Sequence, residues 1–420
     1  METAVRRRAM HVAARAIEQR LNADHSDHDG AHRRCRCGQP ARYAGRRPKT
    51  FETVLGALTL GRAYYHCEAC EGGFCPRDQA LGLGDTSLSP AVTRMVGQAA
   101  AMVSFAESCE LLRDLAGVEV DAKQVERTAE ALGREIAEDE RRAVAPAELT
   151  AVAPTMYLGV DGTGVPMRPS ELAGRTGKQP DGSAKTREVK LCVVWSAEGR
   201  DREGTPVRDA GSVSYSAAIE SAATRDVDEQ PAEFWQRVDR EARRRGFDQA
   251  TRRAVLGDGA LWIWNLASEC FPGAIQIVDR FHAKQHLSDV AKAIWGPTSE
   301  LGTQWAKQRH DELDAGDVDA ILRALRVHAA AEARKCVKYV EGNRNRMRYA
   351  EFAAQGLCTS SGVVEAGCKV AVGTRCKRAG MHWTVAGVNA ILSLRCAKLS
   401  GRFEDFWERR AEAQAGATTG

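Results

Sequence analysis

Met156-Tyr157-Leu158-Gly159-Val160-Asp161-Gly162 is a short apolar run that stops on an acid and a glycine. The same grammar recurs in Arg253-Ala254-Val255-Leu256-Gly257-Asp258-Gly259, and again in Ala274-Ile275-Gln276-Ile277-Val278-Asp279. Each reads as a buried strand that ends on Asp, and the C-terminal ends of strands in α/β sheets are where ligand and metal groups gather. One Asp-Gly after an apolar strand is an ordinary turn. Three strand-end acids within one domain ask for a chemical reason.

Working outward, Val165-Pro166-Met167, Glu188 to Trp195 and Gly211 to Ile219 supply further strand character, so the early part reads as an antiparallel meander. Ala232 to Gly246 places Phe234, Val238 and Ala242 at helical spacing, and the chain also turns helical after Asp258 and after Asp279. Three strands, helix, strand, helix, strand, helix predicts a mixed α/β domain. From 286 to 355 strand character vanishes, which suggests an all-helical insertion. Glu365 differs from the three Asp residues: Val363-Val364-Glu365-Ala366-Gly367 is an apolar helix start, where a carboxylate is costly unless it meets a cation.

The rest of the chain divides by composition. Met1 to Leu21 alternates apolar residues with Arg, Glu and Gln, which predicts an amphipathic helix and not a signal peptide. No apolar stretch reaches the roughly 18 to 20 residues that cross a bilayer, so a cytoplasmic protein with no membrane partner is expected. Residues 31–85 are rich in Cys, Gly and aromatics and read as short strands, Thr53-Val54-Leu55 and Leu58 to Tyr65. Residues 86–150 are helical, with a start signal at Ser89-Pro90 and a stop at Gly117. A Pro/Ala-rich bridge, Ala143 to Pro154, leads into the α/β domain.

Net charge is only +4 over 420 residues, but its distribution is uneven. Ala31 to Phe51 holds seven Arg or Lys and no acid; Ala366 to Phe403 holds seven (Lys369, Arg375, Lys377, Arg378, Arg395, Lys398, Arg402) and no acid. Acid-free basic stretches suit a phosphate backbone, although a plain basic surface has the same composition.

Thirteen cysteines in a reducing compartment do not make a disulfide framework. Cys67-Glu68-Ala69-Cys70 is a metal knuckle, and Cys35-Arg36-Cys37-Gly38 is its partner. Two knuckles about 30 residues apart, joined by strands, predict a zinc ribbon holding structural Zn²⁺. The first pair encloses one residue where two are usual, which leaves His32 or Cys75 open as substitute ligands. The eight cysteines from Cys109 onward need no special explanation.

Several blocks resemble a known family. Tyr157-Leu158-Gly159-Val160-Asp161-Gly162-Thr163-Gly164-Val165-Pro166 is similar to the first catalytic block of ISKra-type insertion-sequence transposases, and Lys185 to Leu191 to their second strand. Val255-Leu256-Gly257-Asp258-Gly259-Ala260-Leu261-Trp262-Ile263-Trp264-Asn265 resembles the second acidic block, and Ser360-Ser361-Gly362-Val363-Val364-Glu365-Ala366-Gly367-Cys368-Lys369 the third. The resemblance runs from about 35 to 407. It implies a ribonuclease H-like fold and a catalytic triad of Asp161, Asp258 and Glu365 that holds two Mg²⁺ (or Mn²⁺) ions, with Asp161 bridging both. Two such ions about 3.5–4 Å apart clamp a scissile phosphate, and three acids so close would repel without them. Asp279-Arg280-Phe281-His282 is similar to an Asp-x-x-His element of related transposases, in which His282 would orient the phosphate or a nearby carboxylate. Lys369, Arg375, Lys377 and Arg378 would line the same DNA groove.

Other motifs fail. His282 and His286 share a helix face as in zinc proteases, but Ala283 stands where the protease needs its Glu. Gly174 to Gln179 lacks the Ser/Thr and the glycine spacing of a phosphate loop, and Gly162-Thr163-Gly164 lacks a third glycine for a dinucleotide. Asp121 to Arg127 suits a helix-turn-helix recognition helix, although the net acidic segment around it equally suits dimerisation or plain packing.

The organisation expected is therefore an N-terminal helix and linker (1–30), a zinc-ribbon-like domain (31–85), a helical, helix-turn-helix-like domain (86–150), the first part of the core (151–285), a helical insertion (286–355), the C-terminal part of the core with Glu365 (356–410) and a tail (411–420). The function expected is a DNA transposase acting on transposon-end and target DNA as a homodimer or larger assembly, in the bacterial cytoplasm near the nucleoid. The alternatives are a nuclease or resolvase that cuts without joining, and a non-catalytic, transposase-derived DNA-binding protein.

Overall fold

The structure is a computed structural model that describes the chain apart from residues 85, 143–151, 178, 180–181, 223–231 and 419–420 and the side chains of 414–418. Most of the Pro/Ala-rich bridge, and Lys178 in the basic loop, therefore lie outside the described residues. The chain forms two compact units, Met1–Ile136 with Gly401–Gly420, and Ala137–Ser400.

In the first unit, α1 (Glu2–Ala23) precedes a four-stranded antiparallel sheet in the order β1 (His32–Arg34), β2 (Pro40–Thr53), β3 (Gly56–Cys67), β4 (Gly72–Phe74). Val54-Leu55, expected within a strand, instead makes the turn of the β2–β3 hairpin. The Thr53 hydroxyl accepts from Leu55 N and donates to Gly56 O at 2.7 Å, which closes that turn locally. Ala41, Ala63, Tyr65 and Cys67 are fully buried, with the rings of Tyr65 and Phe74 stacked at 5.7 Å. Asp27 is buried beside Arg46 and Arg77 and accepts the Ala63 amide at 2.8 Å, which binds the linker after α1 onto β3.

Helices follow: α2 (Pro76–Ala80), α3 (Pro90–Met102), α4 (Phe105–Leu111) and α5 (Ala122–Arg142). Ser89 caps α3 by accepting from Val92 N, with Pro90 at the first helical position, and Ser104 and Glu107 form a reciprocal capping box on α4. Gly117 takes the left-handed conformation that stops the helical run, at φ 71°.

The second unit is built on a five-stranded mixed sheet. Its strands are β5 (Thr155–Pro166), β6 (Thr186–Ser196), β9 (Ser214–Ala218), β10 (Arg252–Gly257) and β11 (Ile275–Val278), and a small ribbon pairs β7 (Gly199–Arg200) with β8 (Pro206–Val207). The spatial order is β11-β10-β5-β6-β9; β5, β6 and β9 run antiparallel, while β10 and β11 run parallel to β5. β5 does not end at Val160: it continues through Asp161 to Pro166 because β6 pairs with its whole length. α6 (Glu233–Arg244) buries Phe234, Val238 and Ala242, and α7 (Leu261–Cys270) connects β10 to β11.

From 280 to 355 all regular structure is helical: α8 (Arg280–Trp295), α9 (Glu300–Ala315), α10 (Val318–Arg326), α11 (Ala331–Asn343) and α12 (Tyr349–Ala354). α13 (Gly362–Gly367), α14 (Thr374–Cys376) and α15 (Val385–Leu399) follow, and α16 (Phe403–Thr418) returns to the first unit. α15 buries Val388, Ile391, Leu392 and Leu394. Among the described residues no helix is long and apolar enough to cross a membrane.

Candidate active site and metal centre

Strand register brings the acids abreast. Gly159 pairs with Leu256, and Leu256 with Ile277, across three parallel strands; Asp161, Asp258 and Asp279 each follow two residues later. α13 crosses the same face. An added Cβ at Gly159 would lie 2.1 Å from Val364 Cγ2, and one at Gly367 would meet Leu191, Val193 and Tyr215 at 3.1 Å. Only glycines permit such an approach. Glu365 thus sits one residue beyond the side chain resting on β5.

Asp161 is half-buried. Its Oδ1 accepts Gly162 N at 2.7 Å, and the Cys368 thiol lies 3.4 Å from its Oδ2. Burial, with the charge of Asp258 in addition, raises its pKa above the usual carboxylate value, against the pull of Gly162 N–H, Cys368 and His282. Asp258 accepts Ala260 N at 2.9 Å, and its backbone carbonyl accepts the Tyr339 hydroxyl at 2.8 Å. The next residue, Gly259, has φ 103°, and a Cβ there would strike the Tyr339 ring at 2.4 Å. Asn343 completes this clasp, donating to Gly259 O and accepting from Trp264 Nε1 at 2.7 Å.

Asp279 is almost fully buried and caps α8: Oδ1 accepts His282 N at 2.7 Å, while Oδ2 accepts Ser361 N. Arg280 N donates to Thr359 O at 3.0 Å, so β11 holds the segment that leads into α13. Burial pushes the Asp279 carboxyl up, but the hydrogen bonds from His282 and Ser361 outweigh it and hold it below the ordinary value. His282 Nδ1 is 3.4 Å from Asp279 Oδ1. That contact, aided by the charges of Asp161 and Asp258, raises the imidazole pKa. His286 stacks at a tilt on Tyr339, with ring centroids 4.2 Å apart, and burial lowers its pKa.

Glu365 is exposed and accepts Lys369 Nζ at 2.8 Å. The charge of Asp258 reaches Asp161, but Asp161, Asp258 and Glu365 are not gathered into one tight ligand group. Of the basic residues expected beside them, Lys369, Lys377 and Arg378 are exposed, and Lys377 donates to the Thr163 hydroxyl. Arg375 is completely buried, its guanidinium 5.3 Å from the centre of the Trp383 ring. Packing has claimed it, so it presents no charge to a phosphate.

The cysteines do converge. The sulfurs of Cys35, Cys37, Cys67 and Cys70 all lie within 4.8 Å of one another, with Cys35–Cys70 and Cys37–Cys67 at 3.6 Å. A tetrahedron of thiolates about 2.3 Å from zinc has edges of nearly 4 Å, so these four residues could hold a zinc ion. The one-residue spacing of the first pair works because Gly38 turns at φ 85° and Gly38 N closes on Cys35 O at 2.9 Å. The Cys70 amide, ahead of other contacts, draws the Cys67 thiol down to about 7, towards the thiolate a metal needs. His32 and Cys75 stand outside the quartet.

Three contributors were not visible beforehand. Cys368 lies inside the third acidic block, three residues after Glu365, yet read as one more dispersed cysteine. Tyr339 and Asn343 reach the Asp258 turn from some 80 residues away, a pairing no local pattern announces.

Residues 34–411 match the sequence profile of the uncharacterised protein family UPF0236. The chain belongs to that family. No curated protein matches this UPF0236 chain at a significant level. Among solved structures it is similar to the Drosophila P element transposase strand transfer complex, at 9% identity over 74% of this chain and 80% of that one, with a TM-score of 0.23.

Proposed function

We propose that this UPF0236 protein is a DNA transposase of a bacterial insertion sequence, of ISKra type, with a ribonuclease H-like catalytic core. The observation that carries the reading is the register just described: Asp161 and Asp258 project from adjacent parallel strands, two residues beyond paired positions, with α13 laid across them at Gly159. The sheet order supports it, since a three-stranded antiparallel meander extended by two parallel strands is the ribonuclease H-like arrangement the resemblance implies.

The donor set suits a pair of Mg²⁺ or Mn²⁺ ions in kind, with Glu365 standing apart from the two aspartates. The donors are hard carboxylate oxygens, and a bound cation would draw Asp161, whose pKa is raised chiefly by burial and further by the charge of Asp258, back towards its charged form. Asp161 would hold both ions, with Asp258 and Glu365 each completing one side; Glu365 would exchange its exposed pairing with Lys369, a contact of small net worth. Such ions supply activation of the attacking oxygen and stabilisation of the leaving one. His282, held by Asp279, would orient the scissile phosphate or a nearby carboxylate. Lys369, Lys377 and Arg378 neutralise the adjoining backbone.

Two in-line displacements follow. Water attacks the phosphodiester at the transposon end, breaking the P–O3′ bond to give a 3′-hydroxyl and a 5′-phosphate. That hydroxyl then attacks a target phosphodiester, forming one P–O bond as another breaks. Two ends cut and joined together call for a dimer or larger assembly. The four-cysteine ribbon, with the basic stretch around its first knuckle, suits the transposon end.

The test is cleavage and joining of end DNA with Mg²⁺. Asp161→Asn, Asp258→Asn and Glu365→Gln should each abolish cleavage and leave DNA binding intact; unchanged cleavage in all three sinks the proposal. Pre-cut ends with a target plasmid separate a transposase, which yields joined product, from a nuclease, which does not.

A further inference from the structure

Between the start of β11 and the turn after α11 lies an open cavity of about 490 Å³ that none of the assignments above uses. Gly273, Gln276, Glu341, Arg344, Arg346 and Arg348 are among the residues around it. Three guanidiniums thus meet at one concavity, on alternate residues of Arg344-Asn345-Arg346-Met347-Arg348. Met347 is fully buried and anchors the segment from within.

Arg346 is fixed in place. Its guanidinium lies 4.8 Å from the centre of the Trp264 ring, Nε donates to Gln276 Oε1 at 2.6 Å and Nη1 to Gly342 O at 3.0 Å. Nη2 has no hydrogen-bond partner among the described residues. Partial burial lowers its pKa, though an arginine stays charged. Arg344 and Arg348 are exposed and pair with Asp319 and Glu351, both exposed as well. Ion pairs of that kind contribute little and yield to a better anion. The one acid around the cavity, Glu341, is paired with Arg326 at 2.5 Å.

We infer that this cavity is a second DNA-backbone site, in which Arg344, Arg346 and Arg348 bind consecutive phosphates of a duplex. The ligand chemistry follows from what surrounds the cavity. No aromatic residue lines it, because Arg346 covers Trp264 and Arg348 lies over Phe352, so a base finds no ring on which to stack. Three cations on a short, anchored segment suit a repeating anion, read by charge and not by sequence. The site is separate from the acids: it opens at the beginning of β11, whereas Asp279 follows its end, roughly 13 Å away at about 3.3 Å per residue. The inference rests on the DNA reading above and adds a contact that holds the duplex away from the point of cleavage.

The test is binding of the full chain to a labelled duplex, without divalent metal, over a series of salt concentrations. Each lost phosphate contact should reduce the slope of log K against log salt by about 0.9. The double variant Arg344→Gln/Arg348→Gln alters only exposed side chains; its slope should fall by nearly two, with affinity at low salt reduced on the order of tenfold or more. Arg346→Gln should lower the slope by about one. An unchanged slope and affinity in the double variant would overturn the site, whatever Arg346→Gln does to folding. Failure of the wild-type chain to bind duplex DNA would overturn both the site and the transposase reading. A wild type that binds and cleaves, matched in binding by the double variant, would remove the site alone.

Discussion

Val364 rests on the bare backbone of Gly159, so closely that a Cβ at Gly159 would stand 2.1 Å from Val364 Cγ2. The contact fixes α13 on β5 two residues before Asp161 and one residue before Glu365. Gly159→Ala should push α13 off the sheet, destabilise the fold by about 1–3 kcal/mol and reduce cleavage much more than DNA binding. Thermal unfolding together with cleavage and binding assays would check this. An alanine variant with wild-type cleavage would show that the approach does not position Glu365.

The zinc assignment makes a prediction specific to four of the five cysteines in the ribbon. The purified chain should carry one zinc, and its cobalt-substituted form should show thiolate charge-transfer absorption. Cys37→Ser and Cys67→Ser should each lose the metal and loosen the first unit, while Cys75→Ser should keep it. Metal analysis with near-ultraviolet spectroscopy decides the matter, and retention of zinc by Cys37→Ser would return His32 to consideration.

Tyr339 supports Asp258 through its backbone carbonyl, not its carboxylate. Tyr339→Phe removes one hydrogen bond, worth about 1 kcal/mol, and keeps the ring against Gly259. The expected result is a higher Mg²⁺ requirement for cleavage with little change in melting temperature. Tyr339→Ala should cost stability as well, since it empties the space beside the left-handed turn. Metal titration of cleavage in both variants is the measurement; an unchanged requirement in Tyr339→Phe would dismiss the clasp as a support for the acid.

Asp27 provides a pH signature in the first unit, outside the candidate site. Burial pushes its carboxyl up, but the Ala63 amide, Arg46 and Arg77 outweigh it and hold the pKa below the ordinary aspartate value. A carboxyl depressed in the folded state stabilises fully above its unfolded pKa of about 3.9 and loses that contribution as pH falls through the folded value. Asp27→Asn should therefore destabilise the first unit at neutral pH, because buried Arg77 keeps only the more distant, exposed Asp24 as a counter-charge. The gap between variant and wild type should close as pH falls through the folded value. Parallel melting curves across pH would reveal a persistent gap in acid if the pairing were unimportant.

Much of this was legible in the residues because the relevant signals are local. An apolar run closing on Asp-Gly marks Asp161 and Asp258, Ser89-Pro90 starts a helix, and paired cysteines around strands give a metal knuckle despite the shortened first spacing. Length was less legible: β5 continues past Asp161 because β6 pairs with it, and partner strands are non-local. Charge misled at Arg375. Its place in an acid-free basic stretch suggested a surface role, but Trp383 draws it inside. Val54-Leu55 misled in the opposite sense, since two apolar residues can form a turn when Thr53 supplies the closing hydrogen bonds.

The clasp of α11 on the Asp258 turn gives the inserted helices a duty. Gly259 holds a backbone angle that most residues avoid, and the face of Tyr339 and the amide of Asn343 shelter it. A shortened chain that spliced α8 directly to α12 would preserve Asp161, Asp258, Asp279 and Glu365 and every strand of the sheet. It would still leave that turn open to water. The end of α11 is thereby tied to the Asp258 turn as directly as the strands are.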